Sequence, residues 1–248
     1  MPSDVLLFVA VGFAAQLVDG AIGMAYGLTS TTVLLSLGVP PATASASVHA
    51  AEVFTTGASA LSHWRFGNVD AALFRRLALP GMLGGAFGAY LLTEAPGDII
   101  QPLVNAYLAV MGGVVLWKAL RPRPAREAPR PRIALLGLAG GFLDAIGGGG
   151  WGPLVASTLV GAGTKARFVI GSTNAAEFLV TSTISGTFVL TIGLDLWPII
   201  LGLIVGGALA APFAALITRK MPDRPLMILV GAVIIILSFR GILQGVLL

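Results

Sequence analysis

Residues 144–153 read Asp144-Ala-Ile-Gly-Gly-Gly-Gly-Trp-Gly-Pro153. Five glycines in six residues, followed by a proline, do not continue an α-helix, because these two residue types are the poorest helix formers. The apolar stretches on either side, 133–143 and 153–162, each hold about ten residues and so cover roughly 15 Å, half of a membrane core. We therefore expect a hairpin of two half-length helices that turns at the glycines near the middle of a membrane.

The composition of the chain is that of an integral membrane protein. Its 248 residues are 56% hydrophobic and 10% charged, with a mean hydropathy of +0.92, whereas soluble domains carry about 25% charged residues. The absence of cysteine excludes disulfides, thiolate metal sites and thiol catalysis. The net charge of +4 does not indicate nucleic-acid binding, because the basic residues lie between apolar runs and form no basic face.

The chain contains an internal duplication. A shift of 125 positions, without a gap, aligns Asp19 with Asp144 and Glu52 with Glu177, and two further aspartate pairs also match. Apolar residues often match by chance, but four carboxylates do not. The sequence therefore predicts two homologous halves, 1–120 and 133–248, joined by a linker at 121–132 that is rich in proline and arginine.

The predicted fold class is an all-α polytopic membrane protein with two inverted-topology repeats. Each repeat is expected to hold a re-entrant or broken-helix hairpin and three transmembrane helices, since a span needs about 20 apolar residues. The predicted elements are hairpin 5–37 and helices 42–63, 71–93 and 99–118 in the first repeat, and hairpin 133–162 and helices 168–190, 196–218 and 225–247 in the second.

The inverted arrangement follows from the distribution of basic residues. If each hairpin returns to its own side, each half crosses the membrane an odd number of times. A cytoplasmic linker then places every lysine and arginine except Arg240 on the inside of the cell membrane, as the positive-inside rule requires. Parallel halves would move five basic residues outside. Inverted repeats with broken helices that meet at the midplane are typical of secondary transporters.

The two hairpin tips are the first candidate site. Backbone N–H groups at the start of a half-helix carry partial positive charge and bind anions. The alternative is that the glycines only allow close helix packing and that the aromatic residues only fill space. A match to G-x-G-x-x-G is set aside, because no strand precedes it. The candidate substrate-binding residues are Gly23, Tyr26 and Gly27 in the first tip, and Gly148, Gly149, Gly150, Trp151 and Gly152 in the second.

A polar helix face follows each tip. His49, Glu52 and Thr56 share one face at helical spacing. A charged side chain at the bilayer centre costs about 3 kcal/mol, so each glutamate should be protonated, paired or turned toward a cavity. We interpret Glu52 and Glu177 as proton-coupling residues, with substrate hydrogen bonds or interhelical contacts as alternatives. His49 would suit a proton relay. The same motifs add Ser47, His49, Ser172 and Asn174 as candidate substrate-binding residues.

Asp19 and Asp144 stand directly before the tips. They are either N-caps of the second half-helix or members of the proton-coupling set. Arg240 is expected either to reach the outer interface or to point toward an anion. The sequence predicts no enzyme, cofactor or metal site, since it has only two histidines and neither H-E-x-x-H nor G-x-S-x-G.

The residues from Gly137 to Pro153, together with Gly171-Ser-Thr-Asn-Ala-Ala-Glu177, resemble the TauE/SafE family of sulfite and organosulfonate anion transporters. The first half resembles it more loosely, through Gly12-Phe-Ala-Ala-Gln-Leu-Val-Asp-Gly-Ala-Ile-Gly23. Its tip has no glycine run, and Leu28 stands where the second half has Pro153. The resemblance covers the whole chain and implies membrane transport of sulfur-containing anions, often outward.

The sequence leaves three hypotheses. The first is a secondary transporter that moves sulfite or an organosulfonate by alternating access, with protons and the lipid bilayer as partners and a homo-oligomer as an option. Its coupling protons would be carried by Glu52, Glu177, Asp19 and Asp144. The second is a Na⁺ or Ca²⁺ transporter that uses the same four carboxylates. The third is a membrane scaffold without transport.

Overall fold

The computed structural model describes residues 2–22, 25–120, 132–162, 164–193, 197–220 and 223–247. These residues form helices and no strand, which confirms the predicted all-α class. Gly23 and the linker up to 131 lie outside the described residues. The first half contains α1 (Pro2–Ile22), α2 (Tyr26–Ser36), α3 (Pro41–Arg65), α4 (Ala71–Glu94) and α5 (Gly97–Leu120). The second half contains α6 (Ile133–Gly147), a π-helical turn (Trp151–Ala156), α7 (Ser157–Gly161), α8 (Ala166–Ile192), α9 (Trp197–Lys220) and α10 (Asp223–Leu247).

Each half begins with two helical pieces separated by a break. In the second half α6 ends at Gly147, and the next residue, Gly148, has a φ of +67° in the left-handed region that favours glycine. Pro153 lacks an N–H group, and the chain passes through a π-helical turn before it becomes α-helical again. The first arms, of 21 and 15 residues, are longer than the roughly half-length pieces expected, because the helix continues past Asp19 and Asp144.

The helices pack in pairs, and the pairing stays the same when each helix is replaced by its counterpart in the other half. α1 packs against α9, and its counterpart α6 packs against α4. The counterparts α3 and α8 pack against each other, as do α5 and α10. Glycines allow these close approaches: a Cβ on Gly12 would lie 2.7 Å from the Cα of Leu203, and one on Gly88 would lie 2.7 Å from the carbonyl oxygen of Phe142. The first arm of each hairpin is therefore held by the other half of the chain.

The bundle has an apolar surface and a partly polar interior. Large apolar side chains are exposed, such as Leu190 at 88% and Phe66 at 78%, whereas His49, Glu52 and Asp144 are buried. Soluble proteins show the opposite distribution, so this surface is suited to lipid. Two of the described helices contain a segment that is long and apolar enough to span a membrane by itself, 99–120 and 167–192. The sequence led us to expect three such helices in each half.

Candidate functional site

The two helix breaks meet in the centre of the bundle. A Cβ on Gly148 would lie 2.7 Å from the carbonyl oxygen of Gly27 and 2.8 Å from Thr31 Oγ1. A Cβ on Gly27 would lie 2.8 Å from Glu52 Oε1 and would also strike the backbone of Gly148. The two tips therefore cross in backbone contact, and only glycine fits at both positions without movement.

A cavity of about 230 Å³ lies beside this crossing. It is smaller than the pockets that hold drug-sized ligands, which measure roughly 300–1,000 Å³. Both halves contribute to its wall, so any relative movement of the halves would change its shape. Its lining residues are Gln16, Asp19, Tyr26, Gly27, Glu52, Thr55, Thr56 and Ser59 from the first half, and Asp144, Gly148, Trp151, Gly152, Pro153, Ala156, Ile170, Thr173, Asn174 and Glu177 from the second.

Ten of the predicted site residues line the cavity: Asp19, Tyr26, Gly27, Glu52, Asp144, Gly148, Trp151, Gly152, Asn174 and Glu177. Among the described residues, five others do not. Gly149 and Gly150 are two of them, because Gly149 faces Leu28 and Gly150 packs on the backbone of α6. His49 lies behind the wall and is fully buried.

Ser47 and Ser172 also lie outside the cavity wall. The hydroxyl of Ser47 donates to the carbonyl oxygen of Thr43 at 2.8 Å. The hydroxyl of Ser172 accepts from the backbone N–H of Asp70 at 2.8 Å. Both hydroxyls therefore already have a backbone partner, and their part in substrate binding stays a prediction.

Sequence reasoning missed several polar wall residues. Thr55 and Ser59 lie three and seven positions after Glu52 and so continue its helix face. Gln16 precedes Asp19 by about one turn of α1. Helical spacing from the two carboxylates could have located all three residues, although it could not have shown which helices surround the cavity.

The aspartates before the tips cap the second arms. Asp19 Oδ1 accepts from the backbone N–H groups of Ala25 at 2.8 Å and Tyr26 at 3.1 Å. Asp144 Oδ1 accepts from those of Gly150 at 3.1 Å and Trp151 at 3.2 Å. These are the amides that the sequence analysis assigns to an anion. A carboxylate already satisfies them, so a bound anion would need other contacts.

The aromatic residues of the tips both pack and line the cavity. Tyr26 and Trp151 occupy equivalent positions in the duplication. The Tyr26 hydroxyl donates to the carbonyl oxygen of Leu203 at 3.2 Å, and Trp151 Nε1 donates to that of Thr173 at 3.0 Å. Each ring is thus held by a hydrogen bond to a neighbouring helix while one side faces the cavity.

His49 and Asn174 are equivalent in sequence but differ in their contacts. His49 Nδ1 lies 2.8 Å from the carbonyl oxygen of Ser45, and Nε2 lies 3.5 Å from Asp144 Oδ2. Asn174 accepts from Ser59 Oγ at 3.0 Å and donates to the carbonyl oxygen of Ile170 at 2.9 Å. The imidazole therefore faces a carboxylate of the other half, whereas the amide is occupied by other partners.

The charge of the cavity wall is carried by carboxylates. Asp19, Glu52, Asp144 and Glu177 all line it, and none of its described lining residues is a lysine or arginine. Arg240 is exposed on α10 and does not belong to this wall, which agrees with the interpretation that it reaches an interface.

The helical bundle has a surface suited to lipid, and two broken helices meet beside a polar cavity. This arrangement is that of a membrane transporter. Its family is also evident. Residues 8–241 match the sulfite exporter TauE/SafE family, and the chain belongs to that family. It is therefore a membrane transporter and not an enzyme.

Two relatives carry transporter names. The chain is 40% identical over 248 residues to "Probable membrane transporter protein YtnM" of Bacillus subtilis (strain 168), with 96% of this chain and 83% of the relative covered. It is 28% identical over 153 residues to "Probable membrane transporter protein ORF9" of Sinorhizobium sp., with 59% and 56% covered. No solved structure matches the chain.

Proposed function

We propose that the protein moves a small sulfur-containing oxyanion, sulfite or an organosulfonate, across the cytoplasmic membrane by alternating access. The observation that carries this proposal is the cavity at the crossing of Gly27 and Gly148, because both halves form its wall. Rocking one half against the other would open this cavity first to one side and then to the other. The family supports the choice of a sulfur oxyanion as the substrate.

Proton coupling is the second part of the proposal. An anion would be repelled by four ionised carboxylates in the cavity wall. Bound protons remove this repulsion, so anion binding and protonation should be linked. Glu52 and Glu177 are the main candidates, because Asp19 and Asp144 each already use one oxygen as a helix cap. The two aspartates remain additional members of the coupling set.

The topology belongs to the same proposal. The halves have inverted orientations in the membrane, and the linker 121–132 lies in the cytoplasm. α1 of the first half packs against α9 of the second, and α6 of the second half packs against α4 of the first. These matching pairs support two structurally equivalent halves. Alternating access in inverted repeats uses this equivalence, because the two halves can exchange conformations.

A cation transporter is the second candidate, and the carboxylate-rich wall favours it. Transport assays with the purified chain in liposomes separate the two. We expect a pH gradient to drive uptake of sulfite or an organosulfonate and to drive no uptake of Na⁺ or Ca²⁺. Cation uptake without anion uptake would support the second candidate and overturn the first.

A further inference from the structure

Three side chains from both halves converge at the wall of the cavity, where Glu52 and Asp144 line it and His49 lies behind them. His49 Nε2 lies 3.5 Å from Asp144 Oδ2 and 4.0 Å from Glu52 Oε2. One possible ligand atom of each of the three residues lies within 4.8 Å of the other two. The residues are nearly inaccessible to solvent, with exposed fractions of 0% for His49, 7% for Glu52 and 3% for Asp144. The cluster joins α3 of the first half to the end of α6 in the second.

Hydrogen bonds outside the cluster fix the orientation of its members. His49 Nδ1 lies 2.8 Å from the Ser45 carbonyl oxygen, which can only accept, so Nδ1 carries the proton in the neutral ring. The lone pair of Nε2 then points toward the carboxylates. Asp144 is oriented in the same way, because its Oδ1 accepts from the amides of Gly150 and Trp151 and its Oδ2 is left for the cluster.

The three converging atoms lack donors. Within the described part of the chain, His49 Nε2, Glu52 Oε2 and Asp144 Oδ2 make no hydrogen bond. Three buried acceptors that face one another are unfavourable unless a positive group lies between them. Two carboxylates and a neutral imidazole carry a charge of about −2, which matches a divalent cation.

We propose that His49, Glu52 and Asp144 form a binding site for one divalent transition-metal cation, with Zn²⁺ as its best representative. Imidazole nitrogen suits Zn²⁺, whereas Ca²⁺ and Mg²⁺ prefer oxygen alone. A histidine that donates its other N–H to a backbone carbonyl is the usual arrangement around such a metal. The sequence predicted no metal site, because the chain has only two histidines and no cysteine.

The site would supply positive charge to the cavity, and this role rests on the proposed function. Glu52 and Asp144 line the cavity, where the described wall has no lysine or arginine. Three protein ligands leave one position of a tetrahedral metal ion for an exchangeable ligand. An oxyanion in the cavity can take that position. The bound metal compensates the charge of Glu52 and Asp144, while Glu177 and Asp19 remain to carry protons.

The second half does not repeat the site. Asn174 replaces the imidazole, and both ends of its amide are held by Ser59 and Ile170. We therefore expect one metal ion per chain. This asymmetry also provides a substitution, H49N, that installs the residue that the second half carries at the equivalent position.

The test measures metal binding without any anion. The full chain, purified with a tag that contains no histidine and stripped with EDTA, is titrated with Zn²⁺ by calorimetry and with Co²⁺ by visible absorption. We expect one site in the unmodified chain. In H49N we expect at least tenfold weaker Zn²⁺ binding and loss of the Co²⁺ absorption bands. H63N is the matched control, because His63 is the other histidine and contacts Asn68 at the end of α3.

E52Q is the second variant and is used if H49N does not fold. Circular dichroism of the helices monitors the folding of each variant. Saturable Zn²⁺ binding that survives both substitutions overturns the site, as does its absence from the unmodified chain. Sulfite binding is then measured with and without Zn²⁺. Equal sulfite binding overturns the role of the metal. Zn²⁺ binding by a chain that binds neither sulfite nor an organosulfonate upholds the metal site and overturns the proposed function.

Discussion

The hydroxyl oxygens of Thr56 and Thr181 lie 3.5 Å apart, and the two residues are separated by 125 positions, the offset that aligns the two halves. Each hydroxyl also donates to the carbonyl oxygen of the glutamate one turn earlier, Thr56 to Glu52 at 2.6 Å and Thr181 to Glu177 at 2.9 Å. α3 and α8 therefore cross at equivalent residues. The crossing brings both glutamates to one cavity.

We expect E52Q and E177Q to remove the dependence of sulfite flux on a pH gradient. Glutamine keeps the size of the side chain but cannot carry the coupling proton. The measurement is sulfite uptake into proteoliposomes at several imposed gradients. E94Q is the control, because Glu94 is exposed at the end of α4. Unchanged proton coupling in both cavity variants would remove these glutamates from the mechanism.

We expect D144A to destabilise the protein by about 1 kcal/mol, because it removes the oxygen that accepts from the Gly150 and Trp151 amides at the start of the second arm, as an N-cap would. Asn is as good a cap as Asp, so D144N should keep most of the stability. Thermal unfolding in detergent measures both. D70A provides a comparison, because Asp70 caps α4 by accepting from Ala72 and Leu73. Equal stability of D144A and the unmodified chain would contradict the capping role.

We expect G27A to abolish transport, because the added methyl group would strike the Gly148 backbone and approach Glu52 Oε1. G113A is the matched control on α5, where a Cβ meets nothing within 4 Å. Replacing that glycine by alanine should leave transport intact and favour the helix by up to about 1 kcal/mol. Full flux in G27A at normal expression would show that the tips do not need to cross so closely.

We expect single cysteines at positions 94 and 219 to be labelled from opposite sides of the membrane. The chain has no cysteine of its own, so each label reports one position. An impermeant thiol reagent should reach position 94 from outside and position 219 from the cytoplasm. Labelling of both positions from the same side would refute the inverted topology.

Much of the fold was predictable from local chemistry. The glycine run before Pro153 cannot stay helical, and the apolar content requires helices in lipid, since a membrane demands internal hydrogen bonding. The length of the first arms was less predictable. Asp144 and Gly147 are still helical, because packing of α6 against α4 stabilises residues that have low helix propensity.

The site was only partly predictable. Helical spacing identifies the face of Glu52, but it does not reveal that Asp144 uses one oxygen for the tip amides and turns the other toward His49. His49 and Asp144 lie 95 positions apart, and no sequence motif links them. Their approach depends on how α3 packs beside α6, which is a property of the tertiary structure.

The central claim is that the anion occupies the cavity where the tips cross. Selenite is a heavier analogue of sulfite, and anomalous diffraction from crystals grown with it locates the selenium directly. We predict a selenium peak inside the cavity, between Gly27, Glu52 and Glu177. If selenite competes with sulfite for transport while every selenium peak lies outside this cavity, the claim is contradicted.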